Sequence, residues 1–572
     1  MCLIWEKNLY STSYLFFYRL LVVPRCALML DCFLPHEKHR MFIRKKKNRG
    51  GSTSIMLVIG ERKAGKQHSS LRVIKNFGAS HNNNEVEKLI SQAEEYRQHL
   101  LSVSPKAIPL KITTSRDIQS CTSMTIGFSD VYGKCFDAVF AELRLKSHEL
   151  KKLRDLLVMR IANPTSKRKT AMIAHEYGMN CQVDSVYKLM DRLTDDVITH
   201  AKKIVYLNTT KRLAAERETV DVMFYDLTTI YFETNTQDTL RDFGFSKDGK
   251  PQHVQIMLVV IVSKHGLPID YEEFPGNCYE GHTLLPVMDK IKQRYAIDRV
   301  VLVADAALMN KINLTALTQQ NIHYVIAARI KNTTKAIQSI VLEQEGYQMI
   351  SSHEGDFVQA KTITLPTGDT LIAYYSSQRA RKDEYDRQKD IARIEKYLQS
   401  TTKSQLTSRL KKSYVVVSKS SKLSIDFDKL SHEKSFDGFF GIQTNLASIN
   451  PNEILNTYRG LWQVEQTFRI AKSNLEIRPV FHYNTKRIKA HFLICYMSLA
   501  LIRYVEFQLR KQAVDTTIEQ LHLLLAQMRI TKIQHADKNT YVLLEDPPPE
   551  LIPIYQALRI KWHKKFSQEA LL

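Results

Sequence analysis

The chain has 572 residues, 44% of them hydrophobic, and a formal net charge of +23, with a pI of about 9.4. That length can hold several domains with cores of their own, and the excess of Lys and Arg points to a polyanionic partner, nucleic acid above all. The eight cysteines show no Cys-x-x-Cys pair and no Cys/His metal spacing, which argues against a disulfide framework or zinc module and fits a reducing cytoplasm.

Near the N-terminus, "YLFFYRLLVVP" (Tyr14 to Pro24) is interrupted by Arg19. It is too short to cross a bilayer and lacks a signal-peptide cleavage pattern. No other stretch reaches about 18 uninterrupted apolar residues, so a soluble protein with no membrane partner is expected. Residues 1–40 have no clear periodicity and are expected to be a non-essential extension, with Met41 an alternative start. From Met41 the pattern gives three short strands, with turns at Gly50-Gly51 and "KAGK". Residues 84–204 read as mostly helical. Within them "SKRKTAMIAHEYGMNCQVDSVYKLMDRL" places two helices around Gly178 with basic residues at the entry. That arrangement is compatible with a helix-turn-helix, and equally with a helical hairpin in a plain core. Residues 41–205 are therefore read as an N-terminal β/helical DNA-binding region.

From residue 220 strands take over. "TVDVMFYDLTTIYFET", "HVQIMLVVIVS" and "PIDYEEF" are followed by a helix at about 282–294, the apolar strand "VVLVAD", a helix near 309–320 and the strand "HYVIAA". A meander followed by alternating helix and strand predicts a mixed α/β sheet. Residues 336–435 interrupt it with a hairpin turning at "LPTGD", a charged helix and the strand "SYVVVS". "GFFGIQTN" then leads into the helix "YRGLWQVEQTFRIAK", and residues 511–572 read as a helical tail.

Three acids stand out. Asp226 closes "VMFYD", where alternation puts Val222, Phe224 and Asp226 on one face, and Asp305 closes "VVLVAD". Ligands of open α/β sheets gather beyond the carboxyl ends of strands. Glu465 falls within the apolar stripe of its helix, between Leu461/Trp462 and Phe468, where a carboxylate needs a cationic partner. Two strand-end acids and one helical acid suit a Mg²⁺ or Mn²⁺ site for phosphoryl transfer. Paired carboxylates could also serve a glycoside hydrolase, but that leaves the third acid and the positive charge unexplained.

"YDLTTIYFE", "VADAAL" and "YRGLWQVEQTFRIAK" resemble the three catalytic blocks of DDE transposases of bacterial insertion sequences, in the insertion-sequence-four superfamily. The family signature runs Tyr, two residues, Arg, three residues, Glu, six residues, Lys. Tyr458, Glu465 and Lys472 match it, while Leu461 stands at the Arg position. "FPGN" and "IRPVFH" are also similar to family segments, and the resemblance spans roughly residues 41–510. It implies a ribonuclease-H-like catalytic core (206–335 and 436–510) interrupted by a β-rich insertion (336–435). It further implies Asp226, Asp305 and Glu465 as catalytic metal ligands for Mg²⁺, with Mn²⁺ able to substitute. Tyr458 and Lys472 are DNA contacts on this reading. The implied partners are double-stranded DNA, both terminal inverted repeats and target, and further copies of the chain as a dimer or higher assembly on that DNA. The implied location is the bacterial cytoplasm, at the nucleoid. With Arg missing at position 461, helical spacing nominates Arg469, one turn beyond Glu465 and in line with Lys472, as a further phosphate contact. Pairing of Arg469 with Glu465 is the competing expectation.

Overall fold

The computed structural model describes residues 41–48, 50–61, 70–102, 118–295, 297, 300–308, 310–399, 414–417, 423–447, 449–536 and 539–568. The expected extension 1–40 and the "KAGK" turn lie outside them. The chain divides into two compact units. One holds the described residues up to Cys121 with Lys532–Leu544 and the stretch from His563; the other holds Thr122–Thr531 and Glu545–Trp562.

In the first unit, β1 (Met41–Lys47), β2 (Thr53–Glu61) and β3 (Ser70–Ser80) form an antiparallel sheet in that order. The β1–β2 turn passes through Gly51 at φ +84°, a left-handed conformation that glycine adopts without strain. Helix α1 (Asn83–Ser102) packs on this sheet. A second sheet has the order β18-β17-β16-β4, built from β4 (Ile118–Thr125), β16 (Arg529–His535), β17 (Thr540–Leu544) and β18 (Phe566–Gln568). The expected helical tail is thus partly β-structure. Its strands are short and lean on distant β4 for pairing, which no local periodicity reveals.

The second unit opens with α2 (Lys134–Phe140), α3 (Ser147–Ala162), α4 (Lys167–Ile173), α5 (Val183–Arg192) and α6 (Asp195–Ala214). The turn before α5 contains Gly178 at φ +69°, where sequence spacing puts it. These helices belong to the same unit as the sheet that follows, with α6 against the strand Pro268–Pro275 and both α3 and α5 against the helix Thr485–Lys511. Residues 41–205 therefore do not form one body, because the apolar faces of α3, α5 and α6 are covered by the sheet and helices that follow.

That sheet has nine strands in the order β10-β11-β12-β15-β9-β8-β5-β6-β7. β5 (Val222–Tyr231), β6 (Gln255–Ser263) and β7 (Pro268–Pro275) form an antiparallel meander. β8 (Val301–Ala304) and β9 (His323–Ala328) run parallel to β5 on its other side. Their crossovers are α7 (Leu284–Tyr295) and α8 (Lys311–Gln319). All nine residues of β6 are buried, as a strand covered on both faces requires. This mixed arrangement is consistent with the ribonuclease-H-like expectation. After α9 (Lys335–Leu342), the interrupting segment adds β10 (Gln348–His353), β11 (Asp356–Thr364) and β12 (Thr370–Ser376). They extend the same sheet through β15 (Phe439–Thr444), which pairs with both β12 and β9. Helix α10 (Ser377–Gln399), the short pair β13 (Val415–Val417) and β14 (Leu423–Ile425), and α11 (Phe427–Lys434) complete it.

Helices α12 (Pro451–Arg459) and α13 (Trp462–Arg469) return over the sheet, followed by α14 (Thr485–Lys511), α15 (Ile518–Gln527) and α16 (Leu551–Ala557). α14 is long and apolar enough to cross a bilayer, but 89% of its apolar window is buried inside the protein. It serves as a core helix.

A closed ionic network fastens α6 and α7 to β7. Lys202 Nζ lies 2.9 Å from Glu272 and 3.3 Å from Asp270. Arg294 reaches Asp270 at 2.8 Å and Glu272 at 2.5 Å, and Lys290 reaches Glu272 at 2.6 Å. Burial alone would raise the Glu272 carboxyl, but Lys202, Lys290 and Arg294 overcome it and hold it at about 2. Its stabilising effect is therefore complete above the ordinary glutamate range and is lost as pH falls from about 4.5 toward 2. Glu272→Ala should lower unfolding free energy by about 3–5 kcal/mol, because cations stay buried without their partner. Urea midpoints at pH 7 measure this loss, and Glu272→Gln should flatten the acid limb of wild-type stability.

Candidate active site

Along β5, Met223, Tyr225 and Leu227 enter the core that also holds Val287, Met288 and Ile291 of α7. Alternation sends Phe224 and Asp226 to the opposite face. The α12–α13 junction covers that face. A Cβ on Gly460 would stand 2.4 Å from the Phe224 ring, so only glycine permits this approach. Parallel β8 pairs Phe224 with Val303. Carried two residues further, that register sets Asp226 beside Asp305, with both side chains on the face under α13. Asp226 is mid-strand rather than at a strand end, because β5 continues to Tyr231 while β8 stops at Ala304.

Glu465 completes the group from α13. The sequence expectation put it on the buried stripe; instead Leu461, Val464 and Phe468 are buried, while Glu465, Trp462 and Arg469 are exposed. The helix is turned by about one residue from the phase that Trp462 suggested, which releases Glu465 toward the two aspartates. Burial raises Asp226 to about 6, against the pull of Lys247 and its own bond to the Leu227 amide, and the charges of Asp305 and Glu465 add to the rise. Asp305 and Glu465 thus both act on Asp226. Tyr458 of α12 lies in the same field: burial, then Asp305 and Glu465, push its phenol up to about 12. It remains a protonated donor beside the acids.

Among the described residues these carboxylates accept only local bonds. Asp226 accepts from the Leu227 amide at 2.7 Å and Asp305 from the Ala306 amide at 2.6 Å. No ion pair links Glu465 to Arg469 among the described residues. Nor do any three His, Cys, Asp or Glu side chains among these residues form a ready metal-binding group. Mg²⁺, however, is commonly held by one or two carboxylates, with waters and substrate phosphates filling its shell. Adjacent Asp226, partly buried, and Asp305, exposed, fit that pattern.

The other nominated residues lie differently. Leu461, at the signature Arg position, is 9% exposed and part of the core. Lys472 is not free. It bonds Asp248 at 2.9 Å, and Arg478 meets the same carboxylate at 3.0 Å. The linear extrapolation from Glu465 to Lys472 fails because Ile470–Asn474 is a π-helical turn, whose wider winding changes the phase. Arg469 is exposed, and its charge acts on Arg503 and Glu519 rather than on Asp226 or Tyr458.

Four charged residues escaped the sequence reading. Lys247 donates to the Leu227 carbonyl at 3.0 Å and pairs with Glu280 at 3.2 Å, so the "SKDGK" turn folds back beside Asp226. Asp248 of that turn holds Lys472. Glu280 is brought in by the segment after "FPGN", where a Cβ on Gly276 would meet the Gln255 carbonyl at 2.2 Å. Arg379 of α10 acts on Tyr458 and lies over the Phe440 ring at 5.2 Å. The one sequence hint was charge concentrated in a turn directly after the first acidic strand.

Residues 220–501 match the family model of the transposase DDE domain. This stretch is similar to the transposase DDE domain. All three acids and the whole of β5 to β15 fall inside the matched residues. No curated protein matches the chain. Among solved structures, it is similar to a piggyBac transposase synaptic complex with hairpin DNA, at TM-score 0.34 and 8% identity over 70% of this chain and 76% of that one. It is also similar to a Mos1 transposase paired-end complex with the left transposon end, at 0.15 and 12% over 30% and 57%. A Mos1 mariner paired-end complex with Mn gives 0.14 and 10% over 42% and 77%. These likenesses are too slight to bear weight.

Gly460→Ala should displace the α12–α13 junction from Phe224, at an overpacking cost of about 1–3 kcal/mol. Its urea midpoint should fall, and any catalytic activity should fall further than overall stability implies.

Proposed function

We propose that the protein is a DNA transposase. It binds the ends of its insertion sequence, cleaves them, and joins the freed 3′-hydroxyls to target DNA by phosphoryl transfer. What supports this reading is the parallel register that sets Asp226 beside Asp305, together with the charge of Glu465 felt at Asp226. Asp226 and Asp305, with Glu465, would hold Mg²⁺ or Mn²⁺, which neutralises charge on the attacking and leaving oxygens of phosphoryl transfer. The chain's own groups prepare that site. Lys247 restrains charge at Asp226, protonated Tyr458 offers a hydrogen bond to a phosphate oxygen, and exposed Asp305 and Glu465 leave the face open to a duplex. In strand transfer, a bond forms from the 3′-oxygen to target phosphorus as the phosphorus bond to the target's own 3′-oxygen breaks.

The net charge of +23 supports duplex DNA as partner, both terminal repeats and target. Pairing of two ends calls for a dimer or higher assembly. Superfamily motifs and cysteine usage support a bacterial insertion sequence acting at the nucleoid. Arg469 and Lys472 remain the proposed backbone contacts, Lys472 exchanging Asp248 for a phosphate. A second reading, a transposase fold that holds ends without cutting, is disfavoured by the presence of all three acids.

Asp226→Ala, Asp305→Ala and Glu465→Ala should each abolish Mg²⁺-dependent cleavage of labelled element ends while leaving end binding within about twofold. Uncut ends with wild-type protein in Mg²⁺ and Mn²⁺ would leave the binding-only reading. Arg469→Ala and Lys472→Ala should weaken end binding and reduce the salt slope by about one each; a larger loss in Arg459→Ala would reassign the DNA-facing side of the helices.

A further inference from the structure

The helices that cover the nine-stranded sheet enclose a second charged group, which the proposed reaction does not use. Arg160 of α3, Lys167 at the start of α4 and His491 of α14 are 5%, 3% and 4% exposed. His482, half-buried, precedes α14, and its ring lies 5.5 Å from that of His491. Sequence pattern had offered Lys167 as part of a basic entry to a DNA-reading hairpin; it points inward instead. Its Nζ has no hydrogen-bond partner, and neither has His491 Nδ1. Arg160 makes a long bond of 3.4 Å to the Leu475 carbonyl, and His491 Nε2 lies 3.0 Å from the Ile477 carbonyl.

The charge balance here is one-sided. The charged neighbours of Lys167 are Arg160 and the Cys495 thiol. Those of His491 are Lys167, Arg160 and His482, and those of His482 are Lys167, Arg160 and Arg487. No carboxylate appears among them, and the nearby acid Asp191 is already engaged by Arg487 at 2.7 and 2.8 Å. A guanidinium does not lose its proton in a protein, and a buried cation with no counter-charge is strongly disfavoured. Arg160 and Lys167 would also repel a metal ion from His482, His491 and Cys495. Donors without acceptors, gathered around a guanidinium fork and an ammonium, are the chemistry of oxyanion recognition.

We propose that Arg160, Lys167, His482 and His491 bind one phosphate-type oxyanion, either a free ion or a backbone phosphate of nucleic acid. His482 is the least buried of the four. Phe481 and Tyr483, its chain neighbours, are 58% and 66% exposed, surfaces on which bases of a passing strand can stack. The site lies outside the three carboxylates, so its existence does not depend on the catalytic reading.

Calorimetric titration of full-length protein with inorganic phosphate, in chloride buffer of constant ionic strength, tests this. One site is expected whose affinity falls about tenfold or more in Lys167→Met, and His482→Asn should weaken it too. Lys167→Met keeps the side-chain length and removes a buried charge, so its midpoint in phosphate-free buffer should equal or exceed that of wild type. Displacement of phosphate by saturating duplex would assign the site to a backbone phosphate; retention would assign it to a free ion. Phosphate and duplex binding both insensitive to Lys167→Met would overturn the proposal. So would a Lys167→Met protein that unfolds well below wild type without phosphate, since Lys167 would then be a satisfied structural group.

Discussion

Like charges held side by side govern the nine-stranded sheet. The parallel register of β5 and β8 brings Asp226 and Asp305 into step, and α13 adds Glu465 above them. In a dry interior that concentration of carboxylates would be intolerable. The structure moderates it in three ways. Asp305 and Glu465 stay exposed to solvent, Lys247 acts on the partly buried Asp226 from the turn between β5 and β6, and Tyr458, on which both exposed acids act, stays protonated. What remains uncompensated is what a divalent cation would neutralise. The local architecture follows from that need. Gly460 exists so that α12 and α13 can settle on Phe224 and bring Tyr458 and Glu465 within range.

The segment that interrupts the domain is continuous with the catalytic sheet. β15 pairs with β9 on one side and β12 on the other, so β10 to β12 lengthen the sheet that carries the acids. The insertion still owns a small core, in which Ile363, Leu371 and Ala373 meet Ile330, Val341 and Phe436. Continuity has a functional result. It fixes the start of α10 and sets Arg379 near Tyr458, a cation supplied from the insertion to the edge of the acidic site.

Much of this was legible in the residues. Alternation in "VMFYD" correctly paired Phe224 with Asp226, and an unbroken apolar run marked β8 as internal. The order of meander, helix and strand anticipated the sheet. The failures have physical causes. Trp462 looked apolar enough to define the buried stripe of α13, yet Leu461 and Val464 do, which turns Glu465 outward. A π-turn after Arg469 broke the helical phase on which the placement of Lys472 rested. Strands β16 to β18 depend on a partner some 400 residues earlier, and Lys247, Asp248, Glu280 and Arg379 reach the site only through tertiary folding. Such contacts leave no periodic trace.

Charge balance separates three clusters that look alike in sequence. Around β7, Asp270 and Glu272 face Lys202, Lys290 and Arg294. Both signs are present and nearly every donor has its acceptor, so the network is complete in itself and its role is to hold helices on a sheet. Near β5 and β8 the negative sign prevails, with Lys247 the one cation acting on Asp226. Around Lys167 the positive sign prevails, with carbonyls rather than carboxylates as neighbours. A folded chain seldom leaves desolvated charge of one sign without reason. The balanced cluster therefore reads as structure, and the two unbalanced ones are where the proposed ligands would supply the missing countercharge, a cation at the acids and an anion at the bases. Opposite needs placed within one unit suit a partner that is itself polyanionic and recruits metal ions to its phosphates.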